Sequence, residues 1–161
     1  MADSPPTLLI VEDGDEYRAN FSRLFGESAT LKQVRTGAAA RAVLKQDPDV
    51  DLLVLDLRFD RIPREDLVGD HEAATRQMGG DAERAWRYLE DHQGLFILRV
   101  LRDAGLQRFP VLLLRDFTHN RAHLRRLQEQ YGDLHYLPET AGADEIRKLV
   151  FRLTGRATTG T

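Results

Sequence analysis

The chain alternates short, wholly apolar runs with longer stretches in which apolar residues recur every three or four positions. Three runs stand out: Thr7–Val11 (TLLIV), Val50–Asp56 (VDLLVLD) and Pro110–Leu114 (PVLLL). Each is too short for a buried helix and too continuously apolar for a strand with one wet face. They predict central parallel strands covered on both sides. Thr30–Val34 (TLKQV) and Leu134–Leu137 (LHYL) are weaker strand segments.

Helical spacing falls between these runs. Tyr17, Phe21, Leu24 and Phe25 share one helical face. TGAAARAVLKQ is rich in helix formers and stops at Asp47-Pro48, because the residue before proline is pushed out of the helical region. GLFILRVLRDAG runs from one glycine to another. THNRAHLRRLQEQYG predicts a helix capped by Thr118 and ended by Gly132. Ile146, Leu149, Val150 and Leu153 form a last apolar stripe.

The order is therefore strand then helix, five times over. That alternation predicts an α/β fold, a doubly wound five-stranded parallel sheet with five helices on its two faces. Ligands of such sheets sit beyond the carboxyl ends of the strands. Glu12, Asp13 and Asp56 all fall there.

One segment interrupts the rhythm. Thirty-seven residues separate Asp56 from Gly94, where a strand-to-helix loop needs roughly 2–6. The first part of this β3–α3 insertion has no clear period. In the second part Ala82, Ala85, Trp86 and Leu89 predict a helix capped by Asp81. The insertion, residues 59–93, carries more acids than arginines and holds the sole tryptophan, Trp86. It is either a flap packed on the domain or a partner surface or lid over the carboxylates. The expected organisation is one domain over residues 1–155 and a small, polar, flexible tail over 156–161.

Composition narrows the function classes. There is no cysteine, which excludes thiol catalysis, disulfides and cysteine-based zinc sites. The formal charge of −3 argues against binding nucleic acid through phosphate contacts. No apolar run reaches the ~18 residues that span a bilayer. MADSPPT has neither a charged n-region nor an apolar h-region, so no signal peptide is expected. The default expectation is a cytoplasmic protein with no membrane or nucleic-acid partner.

With these residues in place, the chain resembles a response-regulator receiver domain (CheY-like, flavodoxin-like) over nearly its whole length outside the insertion and tail. Glu12 and Asp13 match the paired acids after the first strand. Asp56 in LLVLDLR matches the phosphoacceptor aspartate that ends the third. GLFILRVLRDAG matches the third helix, PVLLL the fourth strand, and Tyr136 the position of a switch aromatic on the fifth. The resemblance implies the strand order 2-1-3-4-5, bacterial two-component signalling, a histidine kinase or downstream signalling protein as partner, and no classical enzyme activity. It also implies a Mg2+ site of Glu12, Asp13 and Asp56, with a backbone carbonyl near Arg58. Such an ion relieves carboxylate repulsion of about 4 kcal/mol per close pair.

Two positions depart from the family. The serine or threonine that ends its fourth strand is Arg115 here. The lysine that ends its fifth is Glu139, with Thr140 where the family has proline. On these departures the chain reads as a pseudo-receiver. Asp56 is expected to be phosphorylated weakly or not at all, and a chain Asp56–Arg115–Glu139 is expected to neutralise the pocket without metal. A conventional response regulator with Mg2+-dependent phosphorylation of Asp56 is the first alternative. The second is a metal-dependent phosphoryl-transfer or nuclease enzyme of the topoisomerase–primase (TOPRIM) type, although Asp56 and Asp60 are wrongly spaced for it. His119 and His123 have metal-binding spacing on the fourth helix but lack a third ligand. Arg121, Arg125 and Arg126 make that helix basic. With Tyr136 and Trp86 it is the expected switch or partner surface, a homodimer contact included.

Overall fold

The computed structural model describes residues 4–156. Five parallel strands, β1 (Thr7–Val11), β2 (Thr30–Val34), β3 (Val50–Leu55), β4 (Val111–Leu113) and β5 (Leu134–Tyr136), form one sheet in the order β2-β1-β3-β4-β5. The expected architecture and strand order are observed. Residues 157–161 of the expected tail lie outside the described residues.

Alternation in the apolar runs, interrupted by a register shift at the start of β3, sorts the core into two halves. Leu9, Val11, Leu53, Leu55, Val111 and Leu113 face one side, and Leu8, Ile10, Leu52, Val54 and Leu112 face the other. Helices α1 (Glu16–Phe25) and α7 (Ala143–Thr154) cover the second half through Phe21, Phe25, Val150 and Phe151. Helices α2 (Gly37–Gln46), α5 (Gln93–Asp103) and α6 (Arg121–Tyr131) cover the first through Ala40, Leu44, Ile97, Leu101, Leu124 and Leu127. β2 is an edge strand, which is why its residues are only half buried or exposed.

Seven α-helices replace the expected five among the described residues, because the insertion folds into α3 (His71–Gln77) and α4 (Ala82–Asp91). α4 is the helix that the spacing of Ala82, Ala85, Trp86 and Leu89 predicts, and Asp81 accepts from the Arg84 amide at its start. It breaks from α5 at His92. α3 has seven residues and one buried side chain, Ala74, too few for a readable period. Gln93, fully buried, fastens the insertion. Its Oε1 accepts from the Val68 amide at 2.7 Å, and its Nε2 donates to the Val68 carbonyl at 2.9 Å.

The expected cap at Thr118 is not formed. α6 starts at Arg121, preceded by Asn120. The Asp116 carboxylate instead accepts from the Thr118 amide at 2.7 Å and the Glu139 amide at 2.9 Å, joining the loops after β4 and β5. His119 therefore lies before the helix that carries His123, and the two do not share a helical face.

Candidate functional site

Strand pairing brings the sequence-predicted acids to one end of the sheet. The Asp56 amide donates to the Val11 carbonyl at 3.0 Å, and the Leu114 amide to the Leu55 carbonyl at 2.9 Å. Asp56 is half-buried beside α1, and the Arg58 amide approaches its Oδ1 at a long 3.5 Å. Burial pushes its pKa up to about 6, the Arg58 and Leu57 amides oppose the shift, and the charges of Asp13 and Glu12 add to it. Among the described residues no cation pairs with Asp56.

Glu12 is 1% exposed and is committed to α1. Its Oε2 accepts from the Tyr17 amide at 3.2 Å and its Oε1 from the Arg18 amide at 3.0 Å. These are amides of the helix's first turn, which have no partner within the helix and favour an anion. Burial raises the Glu12 pKa, and the two amides hold it down.

Asp13 is tied to the insertion. Its Oδ2 accepts from the Asp60 amide at 2.8 Å and the Arg61 amide at 2.9 Å. The Arg61 guanidinium pairs with Glu16 at 2.6 Å. Arg58 pairs with Asp60 and Asp91, both at 3.3 Å. Between these exposed charges, Leu57 and Phe59 are buried, and the Phe59 amide donates to the Glu90 carbonyl at 2.9 Å. Gly94 lets α5 pack against the end of β3: a Cβ there would lie 2.6 Å from the Asp56 carbonyl oxygen.

The expected chain Asp56–Arg115–Glu139 is absent from the ion pairs of the described residues. Arg115 is exposed, and its guanidinium carbon lies 5.8 Å from the centre of the Phe117 ring. Strand alternation explains the difference. Leu112 and Leu114 pack with the core half that includes Leu52 and Val54, whose alternation Asp56 continues. Arg115 follows Leu113 onto the other side, where Phe117 is buried. Glu139 is exposed beside Asp116, Thr118, His119, Asn120 and Thr140 in an open depression of about 360 Å³.

The remaining expected residues have other neighbours. Tyr136 is half-buried at the end of β5, its ring edge-on to Phe117 at 5.9 Å and its hydroxyl 3.5 Å from Thr118 Oγ1. Arg121 and Arg125 are exposed on α6 and flank Leu124 and Tyr136. Trp86 packs within the insertion, stacked on His71 at 3.7 Å with the Arg64 guanidinium carbon 5.8 Å from its ring.

The resemblance read from the sequence implies a divalent-cation site at Glu12, Asp13 and Asp56. The donors do not fit one as they are arranged. Both Glu12 oxygens and one Asp13 oxygen are held by backbone amides. Among the described residues no three His, Cys, Asp or Glu side chains converge as ligands. Sequence reasoning missed the Asp60 and Arg61 amides, since every residue but proline carries one and no pattern marks them. The Gln93-Gly94 pair was detectable only as a polar residue and a glycine at a helix start.

This geometry defines the class of fold. The sheet order and the helices on both faces are those of response-regulator receiver domains. No protein-family model and no curated protein matches the chain. Solved structures do. The chemotaxis protein CheY4 of Vibrio cholerae matches with a TM-score of 0.61 and 13% identity, over 92% of this chain and 98% of that one. The receiver domain of a signal transduction histidine kinase from Syntrophus aciditrophicus matches with a TM-score of 0.59 and 20% identity, over 97% of each chain. A CheY-like response regulator receiver domain from Methylobacillus flagellatus matches with a TM-score of 0.58 and 16% identity, over 93% and 99%. At these identities the likeness is one of fold. The topoisomerase–primase alternative finds no support: Asp60 lies in the loop held by Asp13, not on a strand beside Asp56. Among the described residues no helix is long and apolar enough to cross a membrane.

Proposed function

We propose that the chain is a receiver-fold signalling module that acts through protein contacts, with Asp56 phosphorylated weakly or not at all, and that it is not an enzyme. Its partner is a histidine kinase or a downstream signalling protein of two-component type. The observation that supports this reading is the set of groups around Asp56. Phosphoryl transfer to a carboxylate is carried by positioning and charge neutralisation. Here the influences on the Asp56 carboxyl are burial, two backbone amides and two more carboxylates. Arg115 rests on Phe117, and the Thr118 hydroxyl is directed to Tyr136. As they are arranged, the residues present do not fit Mg2+.

A conventional phosphoacceptor role draws support from one observation, that the Asp56 carboxyl is only half-buried and lightly hydrogen-bonded. Incubation with a small acyl-phosphate donor and Mg2+, read by intact mass, separates the two readings. The expected result is no stoichiometric gain of a phosphoryl group. A full gain that is lost in Asp56→Asn overturns the proposal.

A further inference from the structure

The insertion and the acid pocket meet at one carboxylate oxygen. Asp13 Oδ2 accepts two amides in succession, from Asp60 and Arg61, at 2.8 and 2.9 Å. Amide pairs on a carboxylate are charge-assisted and partly neutralise it. The segment that brings them is anchored on both sides of Arg58. Leu57 is 5% exposed and Phe59 is fully buried, with the exposed Arg58 between them, so the segment is pinned on alternate residues. The Phe59 amide is tied to the Glu90 carbonyl at the end of α4. The side chains of the same segment are paired elsewhere. Asp60 is held by Arg58, which also holds Asp91, and Arg61 by Glu16. The acidic side chain of Asp60 is thereby kept on Arg58 while its amide serves Asp13.

We infer that the start of the insertion is a built-in plug: the Asp60 and Arg61 amides take the place at Asp13 that a divalent cation would need, and the pocket is closed to that ion while the insertion is docked. The inference deepens the proposed reading of Asp56 and rests on it. A signal that undocks residues 58–61, through α4 or through the Arg61–Glu16 pair, would expose Asp13 beside Asp56. The insertion is then the regulatory element of the acid site.

The test reads the two amides themselves, on the full chain and with no phosphoryl donor present. Amide hydrogen exchange and NMR shifts of Asp60 and Arg61 are followed in the protein, in Asp13→Ala and in Asp13→Asn, with and without millimolar Mg2+. Both amides are expected to be protected in the native protein and unmoved by Mg2+. Asp13→Ala should speed their exchange by about tenfold or more. Asp13→Asn keeps a carbonyl acceptor and should retain most of the protection that Asp13→Ala loses, a split between the two variants that a carboxylate serving only as a cation ligand would not produce. Saturable Mg2+-dependent shifts with loss of protection at these amides in the native protein overturn the plug. So does exchange that Asp13→Ala leaves unchanged, provided that core amides of β1 and β3 show the variant to be folded. Failure of the plug appears at the Asp60 and Arg61 amides with no phosphoryl donor present. Failure of the weak-phosphorylation reading appears as added mass with the donor.

Discussion

Asp56→Asn replaces a carboxyl that the fold holds at a disadvantage once it ionises. The native environment moves its pKa from an ordinary 3.8 to about 6, chiefly through burial. At 1.36 kcal/mol per pKa unit that displacement corresponds to about 3 kcal/mol. The carboxyl is half open to water, and solvent screening brings the figure down to about 1–2 kcal/mol. An acid with a higher pKa in the folded state binds its proton more tightly when folded. Its stabilising contribution is complete below about pH 4, shrinks as pH rises through about 6, and is gone at neutral pH. The neutral asparagine never carries the buried charge. The variant should therefore match the native protein at pH 4 and exceed it at pH 8 by about 1–2 kcal/mol, roughly 3–6 °C in Tm for a chain of this size. Thermal or urea denaturation of both proteins at pH 4, 6 and 8 measures this. Taking the difference between them cancels the titration of Glu12 and the other acids. A gain that is the same at every pH, or a loss at pH 8, refutes the argument that burial of an uncompensated charge sets the Asp56 pKa.

Two further substitutions probe the supports of the site. Gly94→Ala puts a methyl group 2.6 Å from the Asp56 carbonyl oxygen and 2.8 Å from Leu57 Cα, both backbone atoms that cannot turn aside. It should destabilise the protein by about 2–4 kcal/mol in urea denaturation, and an unchanged midpoint would contradict the close packing of α5 on β3. Gln93→Leu keeps the volume but strands the Val68 amide and carbonyl. A cost of about 2–4 kcal/mol, with protease sensitivity rising first in residues 64–80, is expected. A variant as resistant as the native protein would show that the insertion is held by other contacts.

Where side chains meet in a repeating pattern, the fold was legible. TLLIV and TLKQV mark β1 and β2 to the residue, because a central strand buries both faces and an edge strand does not. α4 was legible from its apolar stripe and Asp81. α3 was not, since seven residues with one buried alanine make no stripe. Thr118 looks like a cap in the sequence, yet Asp116 takes its amide for a link between loops. The positions of Glu12, Asp13 and Asp56 at strand ends followed from the strands that precede them. Their partners did not follow, since those partners are backbone amides contributed by α1 and the insertion.

The sequence by itself determined the five strands, the two-sided core and the gathering of three acids at one end of the sheet. Burial of continuous apolar runs admits little else, and strand termini carry whatever residues come next. Only the tertiary structure decided which charges answer those acids. Strand alternation sends Arg115 to the Phe117 side, and an insertion that begins after β3 returns to Asp13 with two amides. Hydrogen bonds from the main chain depend on where the chain passes, and that is settled when distant segments pack together.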